Sequence, residues 1–238
     1  MNFWDATLPD PAANLAADEA LLDACEAGGA EVLRFWEPTE YFVVLGYSNV
    51  AAREANLENC RRAGVPVLRR CSGGGAVLQG PGCLNYALIL HIDEDAAHQT
   101  HSIPSTNQSV MERQRVALSD ALKRLVAVEG ISDLCLDGRK FSGNSQRRLR
   151  RALIFHGTFL LNFDLGRVEE FLAIPSRQPE YRRGRSHGNF LANAPVSSES
   201  IKKALREAWS ANQSLREVPD WEPLVRTKYA TDDWNLRF

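Results

Sequence analysis

Three consecutive glycines, Gly73-Gly74-Gly75, constrain this 238-residue chain more than any other stretch. Without a Cβ over three residues the backbone gains access to positive φ, and a ligand or neighbouring strand can approach the main chain closely. Such a run sits badly inside a strand. Arg69-Arg70-Cys71-Ser72 leads into it and Ala76-Val77-Leu78 leads out, joining a cationic edge to a segment fit for a core. We read a ligand-cradling loop, with backbone N–H groups and Arg70 facing an anionic or carbonyl-bearing ligand. Its spacing matches neither G-x-x-x-x-G-K-[ST] nor a G-x-G-x-x-G that opens a helix.

The chain around the loop alternates short apolar runs with helical patterns. Asp10 before Pro11 marks a helix start, and Leu15, Leu22 and Cys25 recur at helical spacing over 12–27. Residues 31–38 and 41–48, separated by Pro38-Thr39-Glu40, predict a hairpin, and 49–64 a second helix. Strands at 66–70, 76–78 and 84–91 follow, hairpin-like about Gly80-Pro81-Gly82. The segment from Asp93 to Ser109, with His98, His101 and Pro104, reads as a polar loop running into a helix at about 106–128. Val110, Ala117, Ala121 and Leu125 share one face of that helix. Strands at 133–136 and 152–163, a short helix at 168–173 and an irregular basic stretch at 175–195 lead to a last helix. It starts at Ser197 or Ser198 and carries the apolar stripe Ile201, Leu205 and Trp209. Hairpin-like strands mixed with a few helices predict one α+β domain over 1–238, with a mixed, largely antiparallel sheet flanked by helices.

A formal net charge of −2 gives no general pull toward nucleic acid or an anionic membrane, so any basic site must be local. No stretch approaches the roughly 18 apolar residues of a membrane span. The N-terminus lacks the basic-then-apolar plan of a signal peptide, which predicts a cytoplasmic protein. Five cysteines, none spaced C-x-x-C, argue against a zinc site or a disulfide framework. A typical one reads as a small buried hydrophobe, with Cys71, inside the glycine stretch, and Cys83 and Cys135 kept as possible nucleophiles.

Two further clusters carry chemistry. In Asp133 to Arg148, Lys140 lies between the turn Asp137-Gly138 and the small polar run Ser142-Gly143-Asn144, where a compact cation can clamp a phosphate or carboxylate. The arginines at 147, 148, 150 and 151 read as a solvated cationic face. In Ile154 to Asn162, the alternation of Phe155, Gly157, Phe159 and Leu161 leaves His156 and Thr158 on the other face, where both can line a cavity.

Taken together the clusters resemble the lipoate-protein ligase and octanoyltransferase superfamily, which shares its catalytic fold with biotin-protein ligases and is class II synthetase-like. Arg69 to Val77 is similar to R-R-x-S-G-G-G-A-V, and Gly82 to Tyr86 to G-x-L-N-Y/F. Asp133 to Ser145 is similar to D-x-x-x-x-G-K/R-K-x-S-G-N-A/S, and His156 to Leu160 to H-G-T-x-L. Weaker echoes at Asn14 to Leu22, Leu33 to Gly46, Lys228-Tyr229 and Trp234-Asn235 extend the resemblance over nearly the whole chain.

The resemblance implies a ligase that joins lipoate or octanoate to ATP, with Mg2+ sharing the triphosphate charge, and passes the acyl group to a lysine of a lipoyl-accepting carrier domain. That domain would be of the 2-oxoacid dehydrogenase E2 or glycine cleavage H protein kind. Arg70, Ser72, Gly73, Gly74, Gly75 and Ala76 would border the acyl pocket, joined by His156 and Gly157. Lys140 would be the catalytic cation, with Gly143, Asn144 and Asn85 toward the nucleotide and no resident metal. The chain ends at Phe238 without the small accessory domain of many ligases, so the resemblance implies either a separate accessory subunit or an activity other than ligation.

Octanoyltransferases instead use a cysteine nucleophile and no ATP. The resemblance places that thiol at Ser176 in one branch and about Leu125 in the other, and neither is cysteine. Ligation is therefore the expected activity, with a cysteine-thioester transferase and a non-catalytic lipoyl-binding homologue as alternatives. A nucleic-acid role, suggested only by the arginines at 147–151 and 182–185, ranks below all three.

Overall fold

The computed structural model describes residues 1–92, 100–175 and 177–238. Its strands in chain order are β1 Asn2–Asp5, β2 Val32–Trp36, β3 Phe42–Leu45, β4 Val67–Arg69, β5 Val77–Gln79 and β6 Cys83–His91. They continue with β7 Ala127–Glu129, β8 Asp133–Leu136, β9 Arg139–Arg148, β10 Ala152–Leu160 and β11 Gln213–Ser214. Among the described residues they form an eight-stranded sheet in the order β11-β1-β2-β6-β10-β9-β8-β7 and a three-stranded sheet β4-β3-β5. In the large sheet β1 runs parallel to β2 and β11, and every other neighbour is antiparallel. This is the mixed, largely antiparallel α+β architecture that the sequence predicts.

Period-two alternation sends neighbouring residues of β10 to opposite cores. Ile154 joins Ala87, Ile89, Leu21, Leu22 and Cys25 beneath the helix Pro11–Glu26. Phe155 and Phe159 join Val110, Met111 and Leu118 of the helix Ile103–Leu122, and Ile201, Leu205 and Trp209 of the helix Ser198–Ala208. Asp10 caps the first helix, its carboxylate accepting from Ala13 N at 2.8 Å. No helix among the described residues is long and apolar enough to cross a membrane.

Several local expectations fail for tertiary reasons. The hairpin of 31–48 does not form: β2 pairs with β1 and β6, whereas β3 is the centre of the small sheet. Both strands are buried throughout, so each takes long-range partners on both edges. β5 and β6 likewise flank a turn yet lie in different sheets, β5 at the edge of the small one and β6 inside the large one. The helix of 49–64 divides into Ala51–Glu54 and Leu57–Ala63, because Ala55 bridges Leu172 and Asn56 caps the second piece. The helix expected at about 106–128 is Ile103–Leu122, and it stops at Lys123 with φ 53°. It buries Val110, Met111, Gln114 and Leu118, while Leu125 lies beyond it, exposed. Of the residues singled out from the sequence, His98 and Ser176 lie outside the described residues.

Candidate active site

The β9–β10 register sorts the site residues onto two faces. His156 pairs with Ser145 and Thr158 with Gly143, while Gly157 pairs with Asn144. Thr158 also pairs with Asn85 on β6. One face therefore carries Gly143, Ser145, His156, Thr158 and Asn85, and the glycine loop lies on it. Ser72 Oγ is 2.5 Å from His156 Nε2, and Ser145 Oγ donates to Gly73 O at 2.9 Å. Gln79 and Asn85 are bound to Thr158 Oγ1 at 2.6 and 2.5 Å, tying β5 and β6 into the same surface.

Asn144 and Gly157 occupy the other face. Asn144 Nδ2 donates to Ser132 O at 2.7 Å and its Oδ1 accepts from Tyr86 at 2.6 Å, so the amide braces the strand from behind. A Cβ on Gly157 would lie 1.9 Å from Asn144 Oδ1 and 2.7 Å from Gly143 O. Gly157→Ala is accordingly expected to lower unfolding free energy by about 1–3 kcal/mol through overpacking, read as a lower denaturant midpoint.

Arg70 holds the shape of the glycine loop. Its Nη2 donates to Gly73 O and Gly75 O at 2.5 and 2.9 Å, and its Nε to Ser72 Oγ and Gly73 O at 3.1 Å. Burial pulls its pKa down to about 10, which leaves the guanidinium charged at neutral pH. Gly74 has φ 89°, and Gly46 has no room for a Cβ because Gly74 O would be 2.0 Å from it. The loop thus packs backbone to backbone on the end of β3, the close approach that three glycines permit. Arg69, fully buried, donates to Gly46 O, Tyr47 O, Asn49 O, Trp234 O and Asn235 O and so ties the C-terminal segment to the base of the loop.

Lys140 lies across Gly143, where a Cβ would meet its Nζ at 2.6 Å. Its Nζ is paired with Asp133 Oδ1 at 2.8 Å, and its side chain is 23% exposed, so the ammonium is held but open to a ligand. Main-chain bonds fix its place: Lys140 bridges Leu191, and Ala192 N donates to Lys140 O at 2.9 Å. Of the residues expected at the site, Ser72, Gly73, Gly143, His156 and Asn85 are brought to this one face, with Lys140 passing over Gly143. Gly75 O and Gly73 O are engaged by Arg70, Ala76 leads into β5, and Asn144 and Gly157 support from behind.

The whole middle of the chain, residues 10–213, matches the model of the lipoyl protein ligase A/B catalytic domain. The chain belongs to that family. Its relatives include an octanoyltransferase, LipM, of Brevibacillus brevis, 28% identical with 95% of each chain covered. Another is lipoate-protein ligase A subunit 1 of Thermoplasma acidophilum, 26% identical over 94% of this chain and 91% of the relative. Among solved structures, a bi-partite lipoate protein ligase with its E2 lipoyl domain from T. acidophilum superposes with TM-score 0.82. It is 24% identical and covers 99% of this chain and 96% of that one, a likeness of fold. As a member of the lipoyl protein ligase A/B family, the protein is an enzyme of lipoate ligation or acyl transfer. Octanoyltransferases and ligases both stand among the relatives, so the ligation expected from the sequence is supported only as far as ligation or acyl transfer.

Seen within this lipoyl-ligase family, the stretches that the sequence offered only as weak echoes supply a layer of buried ions to which no site role was given. Asp18 accepts from Arg34 Nη1 at 2.5 Å with both side chains sealed from solvent, and lies 3.7 Å from His156 Nδ1. Glu19 accepts from Lys228, Tyr229 and Arg147 at 2.6, 2.7 and 3.0 Å. Arg147 is therefore part of the site face rather than a solvated arginine. Polar Asn14 and Asp18, four apart on the inward side of the first helix, are the signal that would have located this layer.

The five cysteines are all buried. Burial raises the Cys71 and Cys135 thiols to about 11 and Cys25 and Cys83 to about 12, and Cys60 moves the same way. Thiols so displaced stay protonated and poorly nucleophilic near neutral pH. Among the described residues no group of three or more His, Cys, Asp or Glu side chains is placed to hold a metal ion. Magnesium, implied by the resemblance, would thus have to arrive on a nucleotide's phosphates, not on a cluster of these side chains.

Proposed function

We propose that the protein activates lipoate or octanoate with ATP at the Lys140 face and passes the acyl group to a lysine of a lipoyl-accepting domain. The observation that carries this reading is a contrast: all five thiols are buried and held protonated, whereas the Lys140 ammonium is partly exposed over Gly143, on the face that Ser145 shares with the glycine loop. In the first step a carboxylate oxygen of the acid attacks the α-phosphorus of ATP and pyrophosphate leaves, giving a mixed anhydride. In the second the acceptor amine attacks the acyl carbon, AMP leaves with the bonding pair, and the amine loses a proton. Charge builds on phosphoryl and then carbonyl oxygens, where a fixed ammonium and preset backbone N–H groups stabilise it. E2- or H-protein-like carriers are the proposed acceptors. A separate accessory subunit is proposed with them, since a relative matched over 91% of its length is named subunit 1 of a ligase.

A second reading, acyl transfer from a carrier-protein thioester without ATP, is favoured by the octanoyltransferase relatives that span 95% and 99% of this chain. Incubation with octanoyl-carrier protein, followed by intact mass and hydroxylamine treatment, separates the two. We expect no hydroxylamine-sensitive octanoyl adduct on the protein. An adduct that disappears in one Cys→Ala variant would establish thioester transfer instead.

A further inference from the structure

Residues 177–192 meet the start of β9, where Leu191 bridges Lys140, and one of their side chains reaches the lysine's partner. Tyr181 OH donates to Asp133 Oδ2 at 2.6 Å while Lys140 Nζ occupies Asp133 Oδ1 at 2.8 Å. The carboxylate is thus shared between an ammonium and a phenol. Cys135 Sγ lies 3.8 Å from the same phenol oxygen and completes the row.

Tyr181 is firmly seated. Its ring lies 5.2 Å from that of Phe190, and a Cβ on Gly130 would touch Tyr181 Cε1 at 3.4 Å. Arg185 donates to Tyr181 O and Gly138 O at 2.9 Å, joining the segment to the turn before Lys140. Burial, then the charge of Asp133, holds the phenol well above its ordinary pKa, so it stays a donor.

We propose that Tyr181 is a positioning residue for Lys140, acting through Asp133. A carboxylate engaged on one oxygen by a strong donor presents less charge on the other, so its hold on the ammonium weakens. Asp133 places Nζ over Gly143 before ligand arrives, and Tyr181 keeps that hold loose enough for the ammonium to turn to the phosphoryl or carbonyl oxygen of the bound acyl group. The pair also couples the 177–192 segment to the lysine, since displacement of Tyr181 leaves Asp133 to Lys140 alone. The proposal rests on Lys140 as the site cation, the reading given above.

The test is trace acetylation of Lys140 in the ligand-free protein by acetic anhydride, quantified by mass spectrometry for wild type, Tyr181→Phe and Asp133→Asn. Tyr181→Phe keeps the ring contacts and tightens the ion pair, so labelling of Lys140 is expected to fall about two- to fivefold. Asp133→Asn frees the amine, and labelling is expected to rise; Tyr181→Phe added to it should change nothing further. The same Tyr181→Phe variant is expected to lose about fivefold or more in acylation kcat with KM for the acid unchanged. Unchanged or faster labelling in Tyr181→Phe would overturn the proposal, because mere loosening of the segment exposes the lysine. Slower labelling in a wild-type background that shows no acid-dependent nucleotide exchange would instead retire the ligase reading and keep the Tyr181 contact.

Discussion

Lys140→Ala is expected to lower acylation of a lipoyl-accepting domain by about 10²–10³-fold, the range for removal of one preorganised charge-stabilising group. The loss should fall on kcat, with the variant's denaturation midpoint close to that of wild type. Two structural facts argue for that pattern. The ammonium is partly exposed and makes one ion pair, with Asp133, so its removal unburies no core. The backbone of Lys140 is fixed independently through Leu191 and Ala192, so the strand start keeps its course. A rise in KM at unchanged kcat would mean that the lysine contributes binding alone. Lys140→Arg should not restore the rate, because a planar forked guanidinium cannot set its charge where the compact ammonium packs close to Gly143.

The largest stability effect is expected at Asp18. Asp18→Ala leaves the Arg34 guanidinium, wholly sealed from solvent, with only the backbone and side-chain oxygens of Asn14 as acceptors. An uncompensated buried charge of this kind costs about 3–5 kcal/mol, which is a large part of a typical domain's stability. Denaturant unfolding should show the midpoint fall at unchanged slope. The double variant Asp18→Leu, Arg34→Met is expected to recover most of the loss, since apolar replacement of a buried pair is commonly close to neutral. A loss that persists in the double variant would show instead that the 3.7 Å approach of Asp18 to His156 carries the stability.

Sequence and structure agree where local chemistry decides the outcome and part where distant partners do. Asp10 capping the first helix, the Asp137-Gly138 turn with φ 50° and 72°, and the buried stripe Ile201, Leu205 and Trp209 are all legible in neighbouring residues. The false hairpin of β2 with β3 follows from a short connection that crosses between sheets, which no local pattern announces. At the site, the triple glycine, Lys140 and His156 stand out by residue type. Their spatial roles do not: Asn144 and Gly143 are adjacent, yet the pleat sends one behind the sheet and leaves the other beneath the lysine. Arg70 beside a glycine run suggested a ligand clamp, and its hydrogen bonds go to the loop's own carbonyls. Tyr181 was hidden in a stretch that reads as irregular and basic, because its role depends on a contact 48 residues away.

The proposed activation is tested most directly by acid-dependent exchange of labelled pyrophosphate into ATP, run with lipoate and with octanoate beside the Lys140→Ala variant. Exchange with at least one acid, lost in the variant, is the predicted result. No exchange with either acid, together with octanoyl transfer from a carrier-protein thioester to a lipoyl domain, would contradict it.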